Sequence, residues 1–189
     1  MRVILFASEY YPPFAPGGAE WSTAAWAAAL VRRGQPVVVV TPNYGAAARE
    51  TRDGVTVIRA PFPLRLRPGQ GEVAWLVHRN ALFYRYFGWW IRRIAAAERA
   101  RIIHAHGKAA LVAGLRAGER ASVAVVTTIR DAGLLCPLGF CTMFETTWKT
   151  FDCTTAQYET RCVPYFLEHY HAAAGPLRRA RLQTSLRLG

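Results

Sequence analysis

The sequence predicts an α/β fold, a doubly wound and mostly parallel sheet with helices on both faces. Three observations carry this. Apolar runs of strand length recur at 2–7, 36–41, 55–60, 101–105 and 123–128. Helix-like stretches at 19–33, 72–100 and 108–118 separate most of them. These connections are too long for hairpins, and a helical crossover returns the next strand parallel to the last.

The elements follow in order. Residues 2–7 (RVILFA) have the continuous apolar character of a strand buried on both faces. The segment Glu9 to Gly18 carries three prolines and two glycines and can continue neither strand nor helix. From Ala19 to Arg33 the chain is Ala-rich, with Trp26, Leu30 and Val31 for a core-facing stripe, and Gly34 supplies the C-terminal cap. Residues 36–41 (PVVVVT) and 55–60 are the second and third strands. Pro61 to Gly71 is read as a flexible connection and 72–100 as one long helix. Residues 101–105 (RIIHA) are a fourth strand, 108–118 a short helix ending at Gly118, and 123–128 (VAVVTT) a fifth strand. Residues 130–162 show no periodicity, and Pro164 to Leu188 reads as a helix. Residues 1–189 are taken as a single domain.

Composition bounds the function. The chain is 52% hydrophobic and 19% charged, which is globular rather than disordered. No run approaches the ~18 apolar residues of a membrane span. The N-terminal apolar stretch, Val3 to Ala7, is too short for a secretory signal, so a cytoplasmic protein is expected. Net charge is +12, mostly arginine, which favours polyanions: phosphorylated substrates, anionic lipid or nucleic acid. No nucleic-acid-binding module is recognisable, so nucleic acid is the least favoured of these.

Gly17-Gly18 lies between a strand end and a helix start, where backbone N–H groups can approach a phosphate. The same pair also serves as a plain tight turn. The loop has neither the G-x-G-x-x-G of dinucleotide binding nor the G-K-[ST] of a phosphate-binding loop, which disfavours dehydrogenase and ATPase readings.

The ordered set is more specific. The succession of strand, E-Y-Y-P-P, G-G-A-E, Ala-rich helix, R-R-G and V-V-V-V-T resembles the start of the family-4 retaining glycosyltransferases. Downstream, D-G-V-T-V-I-R (53–59), I-I-H-A-H-G (102–107) and V-V-T-T-I-R-D (125–131) agree in order and spacing. The resemblance covers roughly residues 1–135. It implies a GT-B enzyme with two Rossmann-like halves around a cleft. This chain would be the N-terminal, acceptor-side half, with the C-terminal donor-binding domain and its E-x7-E signature absent. It further implies retention of configuration and no cofactor for catalysis. Gly17, Gly18 and Glu20 match the loop facing the donor diphosphate. His104 and His106 match histidines at the end of the fourth strand, which places His104 among the catalytic candidates and His106 in the acceptor cleft.

Two positions depart from the family pattern. Arg101 stands where Asp is frequent, and Arg130-Asp131 replaces a His-Asp pair whose histidine lies near the reacting sugar. An arginine stays protonated and cannot serve as a general base. Arg130 and Asp131 are therefore expected to contribute electrostatics, with Arg130 pairing to phosphate or to Asp131.

Cys136, Cys141, Cys153 and Cys162 all fall in the aperiodic segment. Their spacing is not the paired C-x-x-C of common zinc sites, so a structural zinc, an iron–sulfur cluster and buried thiols stay open. In the 72–100 helix, Leu76, Phe83, Phe87, Trp90 and Ile94 read as core. Trp75, Tyr86 and Trp89, with Leu82, Arg79 and Arg93, form a second apolar and cationic line. That line suits either packing with a solvated charged face or an anionic membrane and a lipid-linked acceptor. The expected function is thus half of a nucleotide-sugar-dependent glycosyltransferase, inactive alone. The alternative is a non-catalytic basic module that binds anionic lipid or another polyanion.

Overall fold

A computed structural model of the chain describes residues 3–69, 73, 77, 78, 80–130, 136, 138, 153–172 and 175–187. It divides into two compact units, Met1–Arg130 and Asp131–Gly189.

The first unit is a six-stranded sheet. Its elements are β1 (Val3–Ser8), α1 (Gly18–Arg32), β2 (Val37–Pro42), β3 (Arg49–Arg52), β4 (Val55–Ala60), α2 (Ala81–Ala97), β5 (Ala100–His106), α3 (Lys108–Ala121) and β6 (Ala124–Thr127). The strand order is β3-β4-β2-β1-β5-β6. All pairs are parallel except the β3–β4 hairpin. The expected doubly wound sheet is present, and each expected strand lies within a residue or two of its place.

Alternation along the strands builds two cores. On one face Phe6, Val37, Val39, Val55 and Val57 pack with Ala27 and Ala28 of α1. On the other, Leu5, Ala7, Val38, Val40 and Ile103 pack with Phe83, Phe87, Ile91 and Ile94 of α2. The buried face of α3 is made of small residues, Ala109, Ala110, Ala113, Gly114, Ala117 and Gly118, which lets α2 and the sheet approach closely. Both faces of the central strands are covered, so their sequences are unbroken apolar runs.

The helix expected to end at Gly118 runs on to Ala121, where Ser122 in the left-handed region ends it, and three larger differences from the sequence reading stand beside it. The long helix begins at Ala81, because the Asn80 side chain accepts a hydrogen bond from Phe83 N at 2.9 Å and caps it there. Residues 73, 77 and 78 precede it outside any α-helix. Second, β3 was not expected. Its residues R-E-T-R are charged, but Asp53 and Gly54 have positive φ and close a tight hairpin onto β4. Third, the expected C-terminal helix is two.

Those two helices belong to the second unit, which holds a short helical turn α4 (Thr155–Gln157), a π-helical turn (Tyr158–Cys162), α5 (Val163–Tyr170) and α6 (Pro176–Arg187). Gly175-Pro176 separates the last two; proline has no N–H to extend the preceding ladder but suits a first helical turn.

Candidate functional site

From β1 the chain moves outward to β2 and β4, then returns across the sheet and places β5 and β6 on the other side of β1. The strand order therefore reverses between β1 and β5. In open α/β sheets the loops at the carboxyl ends diverge at such a point and leave a crevice for a ligand. Here those ends are Ser8-Glu9 and His106-Gly107, with the α1 N-terminus beside them.

Glu9 closes one side of this region. Its Oε1 accepts hydrogen bonds from Ala109 N at 2.5 Å and Ala110 N at 3.1 Å. The carboxylate thus fills the positive N-terminus of α3. Gly107 makes this fit possible. Its φ is +102°, and a Cβ there would lie 2.7 Å from Glu9 Oε1. The sequence reading placed Glu9 in the loop after the first strand and in the E-Y-Y-P-P motif, and missed this role.

At α1, Gly17 is the N-cap residue, and its N–H donates to Glu20 Oε2 at 3.1 Å. Gly18 has open space where a side chain would stand. The Gly17-Gly18 loop therefore has the expected place and bareness, while Glu20 is a capping carboxylate that competes with any incoming anion for the Gly17 amide.

His104 and His106 project from the same face of β5 as Phe6 does from β1, in the register Phe6↔His104 and Ser8↔His106. Their rings lie 4.2 Å apart between centroids. Phe6 and Trp26 flank both. His104 Nε2 is 2.8 Å from Thr128 Oγ1. Burial, followed by the Arg130 charge, lowers the His104 pKa. His106 is 3% exposed. Burial first, then His104 and Arg130, depress its pKa to about 3. Both rings are therefore neutral at pH 7.

Arg130 completes the group. Its Nη1 donates to Ser22 Oγ, and its Nη2 lies 3.1 Å from Thr23 Oγ1 and 3.3 Å from His106 Nδ1. Thr23 Oγ1 donates to Ala19 O at 2.8 Å and is 3.3 Å from His106 Nδ1. The guanidinium fork thus ties the end of β6 to α1 and β5. Asp131, expected as its partner, lies outside the described residues. Ser22 and Thr23 were not anticipated; they are a pair of hydroxyls one turn into a helix, with no motif to mark them.

A second polar group sits in an aromatic cluster nearby. Tyr44 Oη donates to Glu9 O at 3.1 Å and lies 2.6 Å from His78 Nε2. Tyr10, Phe62 and Phe83 surround His78. Burial depresses the His78 pKa to about 4 and raises that of Tyr44. Neither residue stood out in the sequence.

Of the α2 residues expected at a surface, Trp89 is 43% exposed and Leu82 80%. The Arg93 guanidinium lies 5.3 Å from the Trp89 ring centroid. Tyr86 is half-buried against the core. Trp75 and Arg79 lie outside the described residues. So does Cys141; Cys136 and Cys162 are half-buried and Cys153 is exposed. Burial, then the Cys136 and Cys162 thiols, raise the Tyr158 pKa, so these groups share one neighbourhood. Among the described residues no group of three or more His, Cys, Asp or Glu is placed to hold a metal.

Fold and crevice together define a Rossmann-like α/β domain that opens at its strand-order reversal. The sequence model of the glycosyl transferase 4-like domain matches residues 17–187, and the chain belongs to that family. The fold agrees with a sucrose-phosphate synthase from Thermosynechococcus elongatus at TM-score 0.57 and 15% identity, over 98% of this chain and 40% of that one. A glycosyltransferase from Rickettsia africae ESF-5 aligns at TM-score 0.47 and 13% identity, over 90% of this chain and 40% of that one. A search of curated proteins finds no match to the chain. The chain thus carries a glycosyltransferase domain with the expected α/β fold, and it spans 40% of the length of each of these two structures.

Proposed function

We propose that this chain is the acceptor-side half of a retaining, nucleotide-sugar-dependent glycosyltransferase. The observation that carries the reading is the convergence of Gly17-Gly18, His104, His106 and Arg130 at the strand-order reversal, in a chain of this family. In this reading Gly17 and Gly18 face the donor diphosphate, and Glu20 yields the Gly17 amide when the anion arrives. His104 contributes a neutral imidazole near the reacting sugar, and His106 lines the acceptor cleft. Arg130 and Asp131 add charge rather than a base, since guanidinium does not release its proton at working pH. No cofactor is needed for this chemistry.

The test is sugar transfer from a panel of nucleotide-sugars. The 189-residue chain alone is expected to transfer none. A version extended by a second α/β domain carrying E-x7-E is expected to transfer. Transfer by the short chain would overturn the half-site reading, and a coding sequence without such a domain would favour a binding module.

The exposed line Leu82, Trp89 and Arg93 favours a lipid-linked acceptor reached at an anionic membrane, with the protein peripheral at its inner face. Among the described residues no helix is long and apolar enough to cross a membrane. The same surface supports the second reading, a non-catalytic basic module for anionic lipid or another polyanion. A metal at Cys136, Cys141, Cys153 and Cys162 is a separate proposal; absence of bound zinc and iron from anaerobically purified protein would end it.

A further inference from the structure

We infer that Arg130 is a positioning residue that fixes His106 as the neutral Nε2–H tautomer, so that His106 faces its surroundings as a hydrogen-bond donor and not as a base. A guanidinium only donates hydrogen bonds. Arg130 Nη2 lies 3.3 Å from His106 Nδ1, so that nitrogen must carry the lone pair. The neighbouring hydroxyl offers a competing contact, Thr23 Oγ1 at 3.3 Å from the same nitrogen, but the charge-assisted hydrogen bond from the guanidinium is the stronger of the two. Thr23 spends its proton on Ala19 O at 2.8 Å and turns its oxygen to Arg130 Nη2 at 3.1 Å. The two protons of Nη2 are then accounted for by Thr23 and His106, and Nη1 serves Ser22. The opposite tautomer would set the Nδ1–H of His106 against a guanidinium N–H.

Phe6, Trp26 and His104 pack around the His106 ring, which is 3% exposed. Its Nε2 is enclosed and has no partner among the described residues. In the assigned tautomer this is a buried unpaired N–H, an unfavourable state that an oxygen reaching Nε2 would relieve. Protonating Nδ1 to give the imidazolium is opposed by burial, by His104 and by Arg130.

The tautomer assignment stands on geometry alone. Its consequence rests on the transferase reading: an acceptor oxygen that reaches Nε2 meets a donor, and His106 does not take an acceptor proton while Arg130 stays in place. The histidine expected beyond the fifth strand is thus not replaced as a base by His106. Arg130 instead orders a neighbour.

The experiment is long-range proton–nitrogen correlation of the 189-residue chain labelled at its five histidines, with His106 assigned by loss in His106→Gln. At pH 7 His106 is expected to show a pyridine-type Nδ1 and a pyrrole-type Nε2. A pyrrole-type Nδ1 in this spectrum would overturn the assignment, whatever the variants do. In folded Arg130→Met the pattern is expected to become mixed or inverted, with Nδ1–H turning to Thr23. An unchanged pattern there would show that Arg130 does not set it. Folded Thr23→Val keeps the Arg130 contact and is expected to retain Nε2–H; its loss would assign the role to Thr23. These readouts do not depend on any sugar being transferred, so failure of the transferase reading and failure of this assignment are separate results.

Discussion

At the scale of single residues, the chain holds three neutral histidines inside one small domain. His78 and His106 are each 3% exposed, and their pKa values are about 4 and about 3. His104 shifts in the same direction. Unfolded histidines titrate near 6.5. Below that pH the unfolded chain binds protons that the folded chain refuses, so stability is fully present above pH 6.5 and falls as pH drops toward 4. With His78 and His106 both titrating, the slope is on the order of 3 kcal/mol per pH unit. Urea midpoints at pH 7.5, 6 and 5 should fall accordingly, with most of the loss below 6. A flat profile would mean that these rings are solvated. Of these residues, His104 and His106 were legible because they end an apolar strand, where polar side chains are out of place. His78 was not, because its partner Tyr44 is 34 residues away and nothing local marks the pair. Arg59 was hidden for a related reason. An arginine at a strand end reads as solvated, yet its side chain is fully buried. It donates to Pro12 O at 2.9 Å and Glu50 Oε1 at 2.8 Å, which ties the β1–α1 loop to the edge hairpin.

At the scale of elements, strands and crossovers followed from the sequence because continuous apolar runs have few alternatives once both faces are covered. Element ends depended on single capping groups, and there the pattern was weaker. Asn80 moved a helix start, and Asp53-Gly54 created a strand from a charged stretch. The α3 N-terminus is the sharpest instance, since its cap comes from Glu9, about a hundred residues earlier. Gly107→Ala should therefore destabilise the fold by about 2 kcal/mol, from positive-φ strain and from displacement of the Glu9 carboxylate. The two sources separate in a double-mutant cycle. Glu9→Ser removes the crowded carboxylate, so the Gly107→Ala penalty measured by urea denaturation should shrink in that background. Equal penalties in both backgrounds would leave backbone strain as the whole cause. The same cap bears on function. In the proposed reading, Glu9 is seated at α3 and the donor phosphate would meet the α1 N-terminus, where Glu20 would give way.

At the scale of the whole molecule, a net charge of +12 cannot be read as a site, because it acts over the entire surface. The structure makes one part of it local: the outer face of α2, where Arg93 covers Trp89 and Leu82 stands exposed. An indole and a guanidinium stacked at a helix surface suit the boundary between headgroups and acyl chains. If the acceptor is lipid-linked, the protein should sediment with phosphatidylserine-containing vesicles at low salt. The charge part of this attraction is screened over roughly 10 Å at 0.1 M salt, so the bound fraction should drop steeply toward that concentration. Phosphatidylcholine vesicles should retain far less protein at any salt. Trp89→Ser removes the apolar anchor and leaves the net charge intact, so it should cut binding several-fold; a general polyanion effect would leave this variant as well bound as the parent. Binding that survives Trp89→Ser but follows salt would therefore support the basic-module reading. No sedimentation at low salt would remove the membrane from the proposal and leave a soluble carbohydrate as the acceptor to seek.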